Sequence, residues 1–118
     1  MLIWGNKQYV VDKIISDNGF HIFTKELAEL VRGNEWVDKR WDRFRKEIKG
    51  IGPASASEIL CHTHPEECAI WNRRAYVGLR YLEVPDLPRH DYQLTGKVYL
   101  RIIDVMGSLM EELRRVSL

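Results

Sequence analysis

The segment Lys49-Gly50-Ile51-Gly52-Pro53 constrains this chain more than any other. Two glycines flanking one apolar residue permit a very tight turn, because glycine reaches backbone angles closed to residues with a side chain. Pro53 suits the first position of a helix, where its missing N–H removes nothing that would be bonded. An amphipathic stretch precedes the turn and Ala54-Ser55-Ala56-Ser57-Glu58-Ile59-Leu60 follows it, so the segment reads as a reversal between two helices. Such a turn leaves backbone N–H groups unpaired at the positive end of the second helix. With no side chains to block approach, that is a geometry for holding a phosphate.

The rest of the chain limits what the turn can serve. Its 118 residues are expected to form one domain, 1–118, with a hairpin core at about 35–83 and supporting helices at 6–32 and 96–116. The formal net charge of +1 excludes a global basic field, so a nucleic-acid partner must be met by a local patch. No apolar run approaches a membrane span, and charged and polar residues interrupt the N-terminus too early for a signal peptide. Two cysteines build no disulfide framework, so a reduced, cytoplasmic setting is expected.

The apolar spacing predicts an all-α fold of about six helices. Tyr9, Val10, Ile14 and Ile15 mark a first helix, stopped by Ser16-Asp17-Asn18-Gly19. Thr24 is the expected N-cap of a short second helix carrying Leu27, Leu30 and Val31, which Gly33 ends. Asn34 is the expected cap of a third, where Val37, Trp41, Phe44 and Ile48 recur at i, i+4, i+7 and i+11 as one buried stripe. A fourth runs over about 53–61 with Ala56, Ile59 and Leu60 inward. A fifth follows Asn72 and carries Tyr76, Val77, Leu79, Tyr81 and Leu82; Pro85 and Pro88 mark an irregular link. Thr95 caps a long sixth helix, whose apolar positions over 97–116 spread around much of its circumference. Such a helix needs cover on several sides, from another copy of the chain or from a missing partner domain.

The pattern Ile48-Lys49-Gly50-Ile51-Gly52-x-x-x-Ala56-x-x-Ile59-Leu60 fits a helix-hairpin-helix position by position. Ile48 and Ile51 would pin the turn to the core, and Ala56 would let the two helices approach closely. The order downstream is a loop with Pro65, the apolar Ala69-Ile70-Trp71, then Asn72-Arg73-Arg74 at a helix start. In this the stretch from about Arg40 to Leu82 resembles the helix-hairpin-helix DNA glycosylase superfamily, the endonuclease III-like fold. The resemblance covers about a third of the chain well, and the flanking helices only as generic supports. It implies duplex DNA as partner, with Gly50, Ile51 and Gly52 offering N–H groups to a phosphate and Lys49, Arg73 and Arg74 adding charge.

The departures bear on chemistry. The lysine nucleophile of bifunctional family members would stand at Ala54, so no Schiff base can start there. The family's catalytic aspartate would stand at Asn72. An amide neither takes a proton from water nor supplies negative charge to an oxocarbenium-like sugar. The bland reading of Asn72 is an N-cap. The four cysteines of the family's iron–sulfur cluster are missing near the C-terminus, so no cofactor is expected, and the chain is about half the length of a typical family enzyme.

Two further groups invite a function. Cys61-His62-Thr63-His64-Pro65-Glu66-Glu67-Cys68 is dense in metal ligands, but its spacing matches no standard paired-ligand pattern. Cys61 is expected to complete the hairpin helix inward, with His62 and His64 in a polar loop; no metal is expected. Trp36, Trp41, Trp71 and Tyr76 are candidates to stack on a displaced base. Trp36 and Trp41 adjoin the buried stripe and are expected in the core. Trp71, beside Asn72, is expected to plug the pocket of a non-catalytic scaffold.

The expectation is therefore a DNA-repair-related protein that binds DNA without reading sequence and lacks the usual catalytic groups. One alternative is an active base-excision enzyme that uses Asn72 to orient water. Another is a protein-interaction module, or a fragment of a larger enzyme, engaged through the last helix.

Overall fold

The structure, a computed structural model, describes residues 7–117. The expected helix start at residue 6, the N-terminal reading against a signal peptide and the two extremes of the expected domain lie outside the described residues. Those residues form six α-helices and no strand: α1 (Lys7–Asn18), α2 (Phe20–Arg32), α3 (Val37–Glu47), α4 (Pro53–Thr63), α5 (Arg73–Tyr81) and α6 (Gly96–Ser117). A short 3-10 turn, Asp91–Gln93, precedes α6. The all-α expectation holds. Among the described residues no helix is long and apolar enough to cross a membrane.

The core is built around the predicted α3 stripe. Trp41, Phe44 and Ile48 are buried and Val37 packs against them. Leu30 of α2, Ala56 and Leu60 of α4, Leu79 of α5 and Tyr99 and Ile102 of α6 close on that stripe. Trp41 stacks on Tyr99 with ring centroids 4.1 Å apart and planes inclined by 15°. Each ring also places its polar tip: the Trp41 indole donates to the Leu94 carbonyl at 2.9 Å, and the Tyr99 hydroxyl to the Ala69 carbonyl at 2.7 Å. Truncating Trp41 to alanine would remove about 3–5 kcal/mol by the usual cost of a large cavity.

α6 enters the core at Gly96, whose N–H is capped by Asp42 Oδ1 at 2.7 Å. A side-chain carbon on Gly96 would lie 2.1 Å from the Asp38 carbonyl oxygen, so only glycine lets the helix start meet the α3 backbone. Farther along, Val98, Ile103, Val105, Met106 and Leu109 are partly covered by the same chain, whereas Met110, Leu113 and Val116 are exposed.

Several local expectations are corrected. Thr24 lies inside α2, not at its cap: Gly19, at φ +86°, reverses the chain in one residue, so α2 starts at Phe20. The Thr24 hydroxyl bonds back to the Phe20 carbonyl at 3.0 Å. Asn34 does not cap α3; Trp36 holds that position, and its carbonyl accepts from the Lys39 and Arg40 N–H groups. Trp36 itself is 82% exposed, because the cap position places it before the helical stripe begins. α4 runs on to Thr63, so His62 is helical. α5 ends at Tyr81, so Leu82 is its C-cap and not a helical residue; of its apolar positions only Leu79 is buried.

Candidate nucleic-acid interface

The turn between α3 and α4 is held by residues distant in sequence. The Ile48 N–H closes α3 on the Phe44 carbonyl at 2.9 Å. The Asn18 carboxamide then clamps Lys49: its Oδ1 accepts from the Lys49 N–H at 2.8 Å, and its Nδ2 donates to the Lys49 carbonyl at 2.9 Å. Gly50 takes φ +91°, the left-handed region that glycine enters without strain, while a side-chain carbon there would make only ordinary contact, at 3.6 Å, with Ile14 of α1. Gly52 is extended, and Pro53 occupies the first turn of α4. Among the described residues the N–H groups of Gly50, Ile51 and Gly52 meet no protein acceptor, and Gly50 and Lys49 are exposed.

Beside the turn lies an open cleft of about 430 Å³. Pro53 and Ala54 of α4, Trp71, Asn72, Arg73, Tyr76 and Arg80 from the α5 side, and Pro88, Arg89 and Asp91 from the following loop line it. Trp71 is a wall of this cleft and does not plug it. The wall is fixed by Ser57, a fully buried hydroxyl that accepts from the Trp71 N–H at 2.7 Å. The Ser57 proton is shared between the carbonyls of Trp71 and Ala54, at 3.1 and 2.9 Å. Tyr76 meets the Trp71 ring edge-on, with centroids 5.9 Å apart. Asn72 accepts from the Ala75 N–H at 2.8 Å, which makes it the N-cap of α5.

The loop wall is held by four hydrogen bonds. Arg45 donates to the carbonyls of Asp91 (3.2 Å) and Leu94 (3.0 Å), and Gln93 Oε1 accepts from the N–H groups of Arg89 and His90. This brings the Asp91 carboxylate next to the turn: a side-chain carbon on Gly52 would lie 3.6 Å from Asp91 Oδ2.

The basic residues divide by what surrounds them. Arg40 donates to the carbonyls of Leu30 (2.7 Å), Val31 (3.3 Å) and Glu35 (2.8 Å). Arg43 grips the buried Glu26 with two bonds, at 2.8 and 3.1 Å, and hydrogen bonding to Glu26 raises its pKa. Among the described residues Arg73, Arg74, Arg80 and Arg89 have no carboxylate within 4.0 Å. Arg73 lines the cleft; Arg74 is exposed outside its lining.

The Cys61–Cys68 segment does not converge. Among the described residues no three His, Cys, Asp or Glu side chains come together as a metal site. His64 is no free loop residue: its Nε2 lies 2.7 Å from the Val31 carbonyl, a contact that requires the proton on that nitrogen. Burial pushes the Cys68 thiol upward, and it likewise raises the Tyr99 phenol, so both stay protonated at neutral pH. A protonated thiol is a poor metal ligand.

Sequence reasoning missed Asn18, Ser57, Arg80, Arg89 and Asp91. Arg80 was within reach: Arg73, Tyr76 and Arg80 recur at i, i+3 and i+7, one face of α5. No local signal marks the other four. No protein-family model, no curated protein and no solved structure matches this chain.

Proposed function

We propose that this chain binds duplex DNA through its phosphate backbone, without reading sequence, on a DNA-glycosylase-like helix-hairpin-helix scaffold serving DNA repair. The observation that carries the reading is the α3–α4 turn, where three successive N–H groups lack acceptors among the described residues. Lys49 within the turn, Arg73 on the cleft beside it and the exposed Arg74 next to Arg73 in sequence add charge. Asn72 as a plain cap and Ala54 in place of a nucleophile weigh against lysine- or aspartate-type base excision.

Fluorescence anisotropy on a random-sequence duplex tests this. Two or three phosphate contacts predict a slope of log K against log salt of about −2 to −3. Gly52→Asp, which sets a carboxylate against the incoming phosphate, is expected to weaken binding about tenfold. Absence of binding at low salt, or a Gly52→Asp protein that binds like the parent, would sink the proposal.

Asp91 motivates a second reading. It is the acidic residue lining the same cleft as Asn72, so base release with Asp91 as the charged group and Asn72 orienting water is the enzymatic alternative. Turnover on a panel of damaged duplexes, abolished by Asp91→Asn, would establish it; no turnover on any lesion leaves the binding role alone.

A further inference from the structure

The cleft carries more positive charge than a passing phosphodiester needs. Arg73 and Arg80 stand two turns apart on one face of α5, and Arg89 faces the same volume from the loop. Among the described residues none of the three has a carboxylate within 4.0 Å. Their three charges less that of Asp91 leave two positive charges on the lining. An internal phosphodiester carries one negative charge and is flanked by sugars on both sides, so it lies along a surface. A phosphate monoester carries about −1.5 to −2 at neutral pH and presents three acceptor oxygens. Guanidinium groups match such oxygens in a planar, two-bond fashion. Trp71 and Tyr76 supply aromatic walls for an attached base, and about 430 Å³ lies within the range of small-ligand pockets.

We propose that this cleft receives the terminal phosphate monoester of a DNA strand, at a nick or an end, with Arg73, Arg80 and Arg89 around the phosphate and Trp71 or Tyr76 against the terminal base. The inference rests on the DNA-binding reading and deepens it: the turn grips continuous backbone, and the cleft recognises where the backbone stops.

Dumbbell DNA, closed at both ends by hairpin loops, separates the two. Three forms are compared by anisotropy with the full chain: sealed, nicked with 5′-phosphate, and nicked with 5′-hydroxyl; a fourth carries 3′-phosphate. The phosphorylated nick is expected to bind about tenfold tighter than the hydroxyl nick, the scale of a charge-assisted bond to phosphate. Arg80→Ala/Arg89→Ala is expected to erase that preference while leaving affinity for the sealed dumbbell unchanged and the helical circular dichroism intact. The 3′-phosphate arm states which end enters. Equal binding of all nicked forms alongside firm binding of the sealed form overturns the inference and leaves the backbone grip standing. No binding to any form defeats both. Free mononucleotide that competes at the same concentration as the phosphorylated nick overturns the strand-end source in favour of a nucleotide site.

Discussion

Two sets of three arginines divide this molecule. Arg40, Arg43 and Arg45 sit on α3; Arg73, Arg80 and Arg89 surround the cleft. Their formal charges are the same and their surroundings are opposite. The α3 set is engaged by the fold itself: Arg40 gathers the end of α2 by its carbonyls, Arg43 neutralises the buried Glu26, and Arg45 ties down the loop before α6. The cleft set meets no such acceptor among the described residues. An arginine is available to a ligand only where the chain leaves its five donors without carbonyls or carboxylates to serve. Counting basic residues cannot reveal this, and following their hydrogen bonds does.

The sharpest way to break the comparison is to remove one arginine from each set. Arg40→Met strips donors from three carbonyls and is expected to destabilise the fold by about 2–3 kcal/mol, the scale of hydrogen bonds to charged groups. DNA affinity of the folded fraction should not change. Arg80→Met is expected to leave stability within about 0.5 kcal/mol of the parent, as for a surface change away from structural contacts. It should weaken binding to the phosphorylated nick. Urea denaturation and anisotropy on the same preparations check both. If Arg80→Met proves as destabilising as Arg40→Met, the cleft arginines are structural and the distinction collapses.

This contrast also marks what was legible in the sequence. The fold was readable where its determinants are local: the α3 stripe, the glycine turn, Pro53 at the start of α4, Asn72 and Thr95 at helix starts. It failed where the backbone set a helix start away from the residue best suited by type to cap it. Thr24 and Asn34 are good caps by type, but Gly19 started α2 early and Trp36 took the cap of α3. Of the apolar residues assigned to α5 only Leu79 is buried, while Val77, Tyr81 and the cap residue Leu82 face solvent. The turn could be named from five residues. The cleft beside it needed Ser57 to hold Trp71 fourteen positions away, and Arg45 to seat Asp91 forty-six positions away. Pairings of that span leave no periodicity to read.

Ser57 gives the next test, since it shapes the cleft without contributing charge. Ser57→Ala leaves the buried Trp71 N–H without its acceptor, at a cost of about 2 kcal/mol. Because Trp71 and Asn72 lead directly into Arg73, the loss is expected to reduce the preference for a phosphorylated nick more than the affinity for sealed DNA. Denaturation and the dumbbell series measure the two effects separately. A variant that loses stability while keeping the full preference would mean that the arginines act independently of the wall behind them.

The smallest effect is the most discriminating. Asp91 sets a carboxylate both in the cleft and beside the Gly52 end of the turn, where an incoming phosphate would meet it. Asp91→Asn keeps the side-chain shape and the backbone carbonyl that Arg45 holds, so the loop stays seated. At an exposed position one charge is worth up to about 1 kcal/mol. Removing it is therefore expected to tighten DNA binding about threefold at low salt, with the gain fading as ionic strength shortens the range of the interaction. Tighter binding with no turnover in either protein marks Asp91 as a brake on the grip. Tighter binding with turnover lost would place it instead among groups that act on bound DNA. Unchanged affinity would mean that phosphate approaches neither the turn nor the cleft, because both lie next to this one carboxylate.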